Sequence, residues 1–189
     1  MRKINFLALL AVSMFCQITF SQTEAEEKAW MDYMTPGPQH KKLAAEEGRW
    51  TCTMKFFSDP QSLPLESTTT CVIKMIMDGR YQEITYTGDI LGMLFEAKRI
   101  VAYDNALKHY TSIYMDNMAT GVITMEGTAG NDGKTIIYKG NIVNPVDGKT
   151  NPAREVYTIV DSNTRKVEMY DSKDGKEWKS YEIIMKRSN

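Results

Sequence analysis

The chain has 189 residues, a quarter of them charged, and a formal net charge of −1. That length suits one domain with one core. The weakly acidic, mixed charge gives no electrostatic case for nucleic acid or for anionic membranes as partners.

Residues 1–21 read as a signal peptide. Arg2 and Lys3 form the basic end, an apolar run follows from Ile4 to Phe15, and Thr19-Phe20-Ser21 resembles a small-residue cleavage site. The run is short of the roughly 20 apolar residues of a membrane span, so no stable membrane insertion is expected. Cys16 raises a lipid anchor as an alternative, but Phe15 stands where a lipidation signal wants a small residue. The expected destination is export, periplasmic or extracellular.

Residues 22–47 form the helical segment. Thr23 and Glu26 make a capping box, and Thr35-Pro36-Gly37-Pro38 interrupts the helix. A short second helix runs to Glu47, with Gly48 as its stop.

From 48 to 189 the pattern is strand and turn. The expected strands are 49–58, 65–77, 80–88, 94–103, 108–116, 120–128, 134–142, 153–160, 165–171 and 177–187. Asp78-Gly79, Asp104-Asn105, Gly130-Asn131-Asp132-Gly133 and Asp174-Gly175 supply turn chemistry. No long helix separates strands, so parallel crossover units are excluded. The predicted fold is all-β: an antiparallel up-and-down β-barrel of about ten strands with short N-terminal helices. Closure is favoured because it removes exposed edges; a β-sandwich is the alternative.

Cys52 and Cys71 remain after signal removal. Pairing strands 49–58 and 65–77 with Ser58 facing Leu65 sets Cys52 opposite Cys71, which predicts a disulfide worth about 3 kcal/mol. Two buried thiols are the alternative.

The residues also resemble a family. Pro36-Gly37-Pro38-Gln39-His40-Lys41, Gly48-Arg49-Trp50, Asp78-Gly79-Arg80 and Gly92-Met93-Leu94-Phe95-Glu96 carry the resemblance. So do Tyr103-Asp104-Asn105, Asp116-Asn117-Met118-Ala119-Thr120-Gly121, Pro145-Val146-Asp147-Gly148-Lys149 and Arg154-Glu155-Val156. Together they look like the bacterial domain-of-unknown-function family 1579, which has no assigned activity. Tyr114 stands where that pattern carries Trp. More distantly, the chain resembles lipocalin-like (calycin) barrels, which open on a short helix and Gly-x-Trp. That resemblance implies a structural clasp, in which Lys186 or Arg187 of the last strand covers Trp50 by a cation–π contact of about 0.5–2 kcal/mol.

Catalytic and metal motifs are missing from the sequence. His40 and His109 are the only histidines, too few for a zinc site once the cysteines pair. No cofactor is expected, and an enzyme is the lesser expectation. Charged and aromatic residues inside alternating strands are the candidates for ligand contact: Arg80, Tyr86, Tyr114, Asp116, Arg154 and Tyr157. Rim or exterior ion pairs are the plainer reading of the charged ones. Met75, Met77, Met93, Met115, Met118, Met125, Met169 and Met185 suit either an adaptable apolar pocket or core filling. The leading expectation is a small apolar or amphipathic ligand held inside the barrel. A side-chain-filled interaction module, or an enzyme acting in the cavity, are the alternatives.

Overall fold

A computed structural model describes residues 23–59, 61–173 and 175–188. The expected signal peptide and Cys16 lie outside them. The chain divides into two units, 1–35 and 36–189.

The first unit contains helix α1 (Glu24–Met34), capped by reciprocal hydrogen bonds between Thr23 and Glu26. Its N-terminal turn carries Glu24, Glu26 and Glu27, which suit the positive end of the helix dipole.

The second unit starts with helix α2 (Pro38–Ala44), with Pro at its first position. Ten strands follow: β1 (Gly48–Phe56), β2 (Leu65–Ile76), β3 (Tyr81–Ile90), β4 (Met93–Asp104) and β5 (His109–Asp116). Then come β6 (Ile123–Ala129), β7 (Thr135–Val143), β8 (Thr150–Ile159), β9 (Thr164–Lys173) and β10 (Lys176–Arg187). Every strand pairs antiparallel with its sequence neighbours, and β1 pairs with β10, closing the barrel. The up-and-down barrel is as expected from sequence. β8 starts three residues earlier than expected and takes in Pro152. Its pairing with β9 begins only at Ala153, so Pro152 needs a ladder on the β7 side alone.

The expected disulfide is not formed. Cys52 and Cys71 are buried free thiols. β1 ends at Phe56, not Ser58, and Phe56 faces Leu65. The pairing therefore slips by two residues: Cys52 faces Thr69 and Cys71 faces Trp50. A slip of two keeps both thiols on the inner face. It also makes them diagonal neighbours, about 7–8 Å apart at Cα and too far to bridge without backbone movement. A hydrogen bond with Cys52, and then burial, push the Cys71 thiol up from its ordinary range.

Successive hairpins give the barrel two distinct ends. The end holding Trp50 and Arg187 is plugged by α2 and the segment that follows it. Leu43 and Glu46 are buried there. The Trp50 indole N–H donates to the Glu46 carbonyl at 2.9 Å. The Arg187 guanidinium lies 4.3 Å from the Trp50 ring and donates to the Ala45 and Glu47 carbonyls. Arg165 approaches the same ring at 5.1 Å. Gly48, with φ of +127°, permits this clasp twice over: a side chain there would be strained, and its Cβ would sit 3.1 Å from Arg187 Nη1. Gly127 plays a different part. A Cβ there would meet the Tyr138 ring at 2.5 Å, so the glycine makes room for an inward aromatic.

Candidate functional site

The far half of the barrel holds a cavity of about 440 Å³. Its apolar wall comes from Met54 and Phe56 on β1, Phe95 on β4, Met125 on β6, Met169 on β9 and Ile183 on β10. Each is an inward residue of an alternating strand, as period-two geometry requires. The strand ends and loops at this end expose further apolar side chains: Leu91, Met93 and Leu94 at the β3–β4 turn, Met118 and Val122 after β5, and Val143 and Val146 at and beyond the end of β7.

Between this cavity and the plug lies an ion pair. Arg99 of β4 donates two parallel hydrogen bonds to Glu155 of β8, at 2.9 and 2.8 Å. Both side chains are buried, at 7% and 3% exposure. Burial works against the Arg99 charge, but the adjacent Glu155 carboxylate together with Tyr138 and Tyr86 outweighs it and holds the guanidinium above its ordinary pKa. Such a bidentate pair is the geometry in which burial of charge is tolerated. Both residues line the cavity, with Tyr86 and Ser112.

Behind the pair, the plugged end has its own polar cluster. Glu46 Oε1 accepts from Arg165 Nε at 2.8 Å and from the Tyr157 hydroxyl at 2.6 Å. Its Oε2 accepts from Gln82 Nε2 at 3.0 Å. A second void there measures only about 40 Å³. That is room for water, not for a ligand of any size. His40, nearby in α2, accepts the Gly37 N–H on Nδ1 at 3.0 Å. Burial first, and Arg80 after it, lower its pKa.

Of the six residues singled out for ligand contact, Tyr86, Tyr114 and Asp116 line the large cavity. The Tyr114 hydroxyl donates to Asp116 Oδ2 at 2.9 Å, and Asp116 Oδ1 accepts the Met118 and Ala119 N–H groups. Tyr157 faces inward but joins the plug. Arg80 lies on the β2–β3 turn, where it donates to the Met77 carbonyl. Arg154 is on the outer face of β8, stacked 4.0 Å over Tyr170 and paired with Glu177 at 2.6 Å. The sequence reading did not single out Arg99, Glu155, Ser112 or Tyr181. Among the described residues no group of three or more His, Cys, Asp or Glu could hold a metal ion.

Asp171, near the same end, has a sealed Oδ1 without a partner. Burial raises its pKa, partly offset by the Ser180 hydroxyl. A carboxyl with a raised folded pKa disfavours folding once ionised. The cost is absent below the unfolded value of about 3.9 and grows as pH rises from there through the folded pKa. Asp171→Asn is therefore expected to raise the urea midpoint at pH 7 and to leave it unchanged at pH 3.

A closed ten-stranded up-and-down barrel, plugged at one end and hollow at the other, is consistent with the lipocalin-like resemblance. The family profile described as "Protein of unknown function (DUF1579)" matches residues 35–187. The chain belongs to that family. Comparison with functionally curated proteins gave no match.

Proposed function

We propose that this protein is an exported barrel that binds a small apolar or amphipathic molecule in its hollow half. One observation carries the reading: a cavity of about 440 Å³, walled by methionine, phenylalanine and isoleucine. That volume falls in the usual range for small-molecule sites. Methionine walls adapt to varied ligand shapes. The exposed apolar loops at the same end supply an entrance of matching chemistry. Export rests on the basic, apolar and small-residue order of residues 1–21.

Native mass spectrometry of protein purified from its own host tests the reading, together with titration by the uncharged dye N-phenyl-1-naphthylamine. A retained small molecule, or saturable dye binding, is expected. Met169→Trp narrows the cavity and is expected to weaken dye binding about tenfold, with the circular dichroism spectrum preserved. Protein that carries no ligand, and binds neither the dye nor long-chain amphiphiles, would refute the proposal.

A further inference from the structure

We infer that the cavity selects an uncharged amphiphile, whose neutral polar group is held by the hydroxyls of Tyr86, Ser112 and Tyr181, and that it rejects carboxylates. This deepens the proposed function and rests on it.

The argument begins with what the lining groups have left to offer. Among the described residues the one cationic group on the cavity wall is Arg99, and both of its terminal nitrogens are spent on Glu155. Its Nε is sealed from the cavity as well as unpartnered. Asp116 is the remaining lining charge, and it is satisfied by Tyr114 and two backbone N–H groups. The charges of the described lining residues thus sum to −1. A carboxylate entering this space would lose its hydration, find no available cation and face two carboxylates.

Three hydroxyls differ from these spent groups. Tyr86, Ser112 and Tyr181 all line the cavity. None donates or accepts a side-chain hydrogen bond among the described residues. None is sealed either: the sealed, unpartnered side-chain polar atoms of the described residues are Arg99 Nε and Asp171 Oδ1. Ser112 and Tyr86 are 4% and 6% exposed, so what they can reach is the cavity itself. Their placement follows from the register. Arg99 faces Ile84 on β3 and Tyr114 on β5, which sets Tyr86 and Ser112 diagonally on either side of it. Tyr181 stands on the opposite wall, one strand beyond Met169, which faces Glu155. Burial raises the pKa of Tyr86 and of Tyr181, so both stay protonated. A hydroxyl can donate and accept. Three of them in an apolar chamber form a site for an alcohol, ester or amide. Leaving such groups unpaired in a dry site is costly, and that cost is the source of discrimination against ligands that cannot satisfy them.

The test is displacement of N-phenyl-1-naphthylamine by four ligands of one chain length: dodecan-1-ol, methyl dodecanoate, dodecane and dodecanoate, at pH 8. The alcohol and the ester are expected to displace the dye at about tenfold lower concentration than dodecanoate. Tyr86→Phe combined with Ser112→Ala is expected to remove most of the alcohol's advantage over dodecane. Glu155→Gln unmasks Arg99 and is expected to improve dodecanoate about tenfold. If Glu155→Gln fails to fold, the wild-type ligand order and the hydroxyl variants still decide the question. Dodecanoate binding as well as dodecanol, or an undiminished advantage of dodecanol over dodecane in the hydroxyl double variant, overturns the selectivity but not the binding function. Failure of every ligand and of the dye overturns both.

Discussion

Arg99→Met is expected to destabilise the barrel by about 3–5 kcal/mol, while Arg99→Met with Glu155→Leu is expected to be neutral or more stable than the parent by up to about 4 kcal/mol. The asymmetry follows from where the pair sits. Glu155 is 3% exposed, and Arg99 is the cation that faces it. Removing the guanidinium leaves a carboxylate with its desolvation cost and no Coulombic return. Removing both charges replaces a costly pair with packing, as buried pairs elsewhere allow. Urea unfolding followed by circular dichroism gives both numbers. A single variant within about 1 kcal/mol of the parent would mean that cavity water hydrates Glu155, and that the pair is not a dry one.

That ion pair also shows where the sequence stopped being legible. Strand positions and the closing β1–β10 pair follow from alternation and turn chemistry, which are local, and the Trp50–Arg187 clasp from the lipocalin-like resemblance. Arg99 and Glu155 are 56 residues apart and share no local pattern. On β8 the faces Arg154-Val156-Thr158 and Glu155-Tyr157-Ile159 are equally mixed, so parity alone could not say which turns inward. The choice is made by packing: Tyr157 reaches Glu46, and Arg154 finds Tyr170 and Glu177 outside. Tyr181 is obscured differently. The β9–β10 register shifts between Lys179 and Tyr181, a bulge that resets which residues of β10 face the cavity. The cysteine error has the same root. Alternation fixes the face of a strand but leaves pairs offset by two residues equivalent, and only the β1–β2 loop length separates them.

Glu46 gives the second large effect. In sequence, Ala44-Ala45-Glu46-Glu47 is indistinguishable from a solvated helix end. Folded, Glu46 is 4% exposed and is the acceptor on which three strands converge: Gln82 of β3, Tyr157 of β8 and Arg165 of β9. Glu46→Ala leaves the Arg165 charge, 5% exposed at its side chain, with the Trp50 ring and, as hydrogen-bond acceptors among the described residues, the Asp161 and Thr164 carbonyls. It also orphans the part-buried Tyr157 hydroxyl. The expected cost is about 3–5 kcal/mol. Glu46→Gln keeps the shape and an acceptor oxygen but loses the charge, and is expected to cost less, about 1.5–3 kcal/mol. The Trp50 indole bonds to the Glu46 backbone carbonyl, so that contact survives either change. Urea midpoints order the three proteins. Dye titration of the folded fraction separates the plug from the site: the Arg99–Glu155 layer lies between them, so the affinity of folded Glu46→Gln is expected to match the parent. A loss of dye affinity larger than the unfolded fraction explains would mean that the plug and the hollow half are energetically one site.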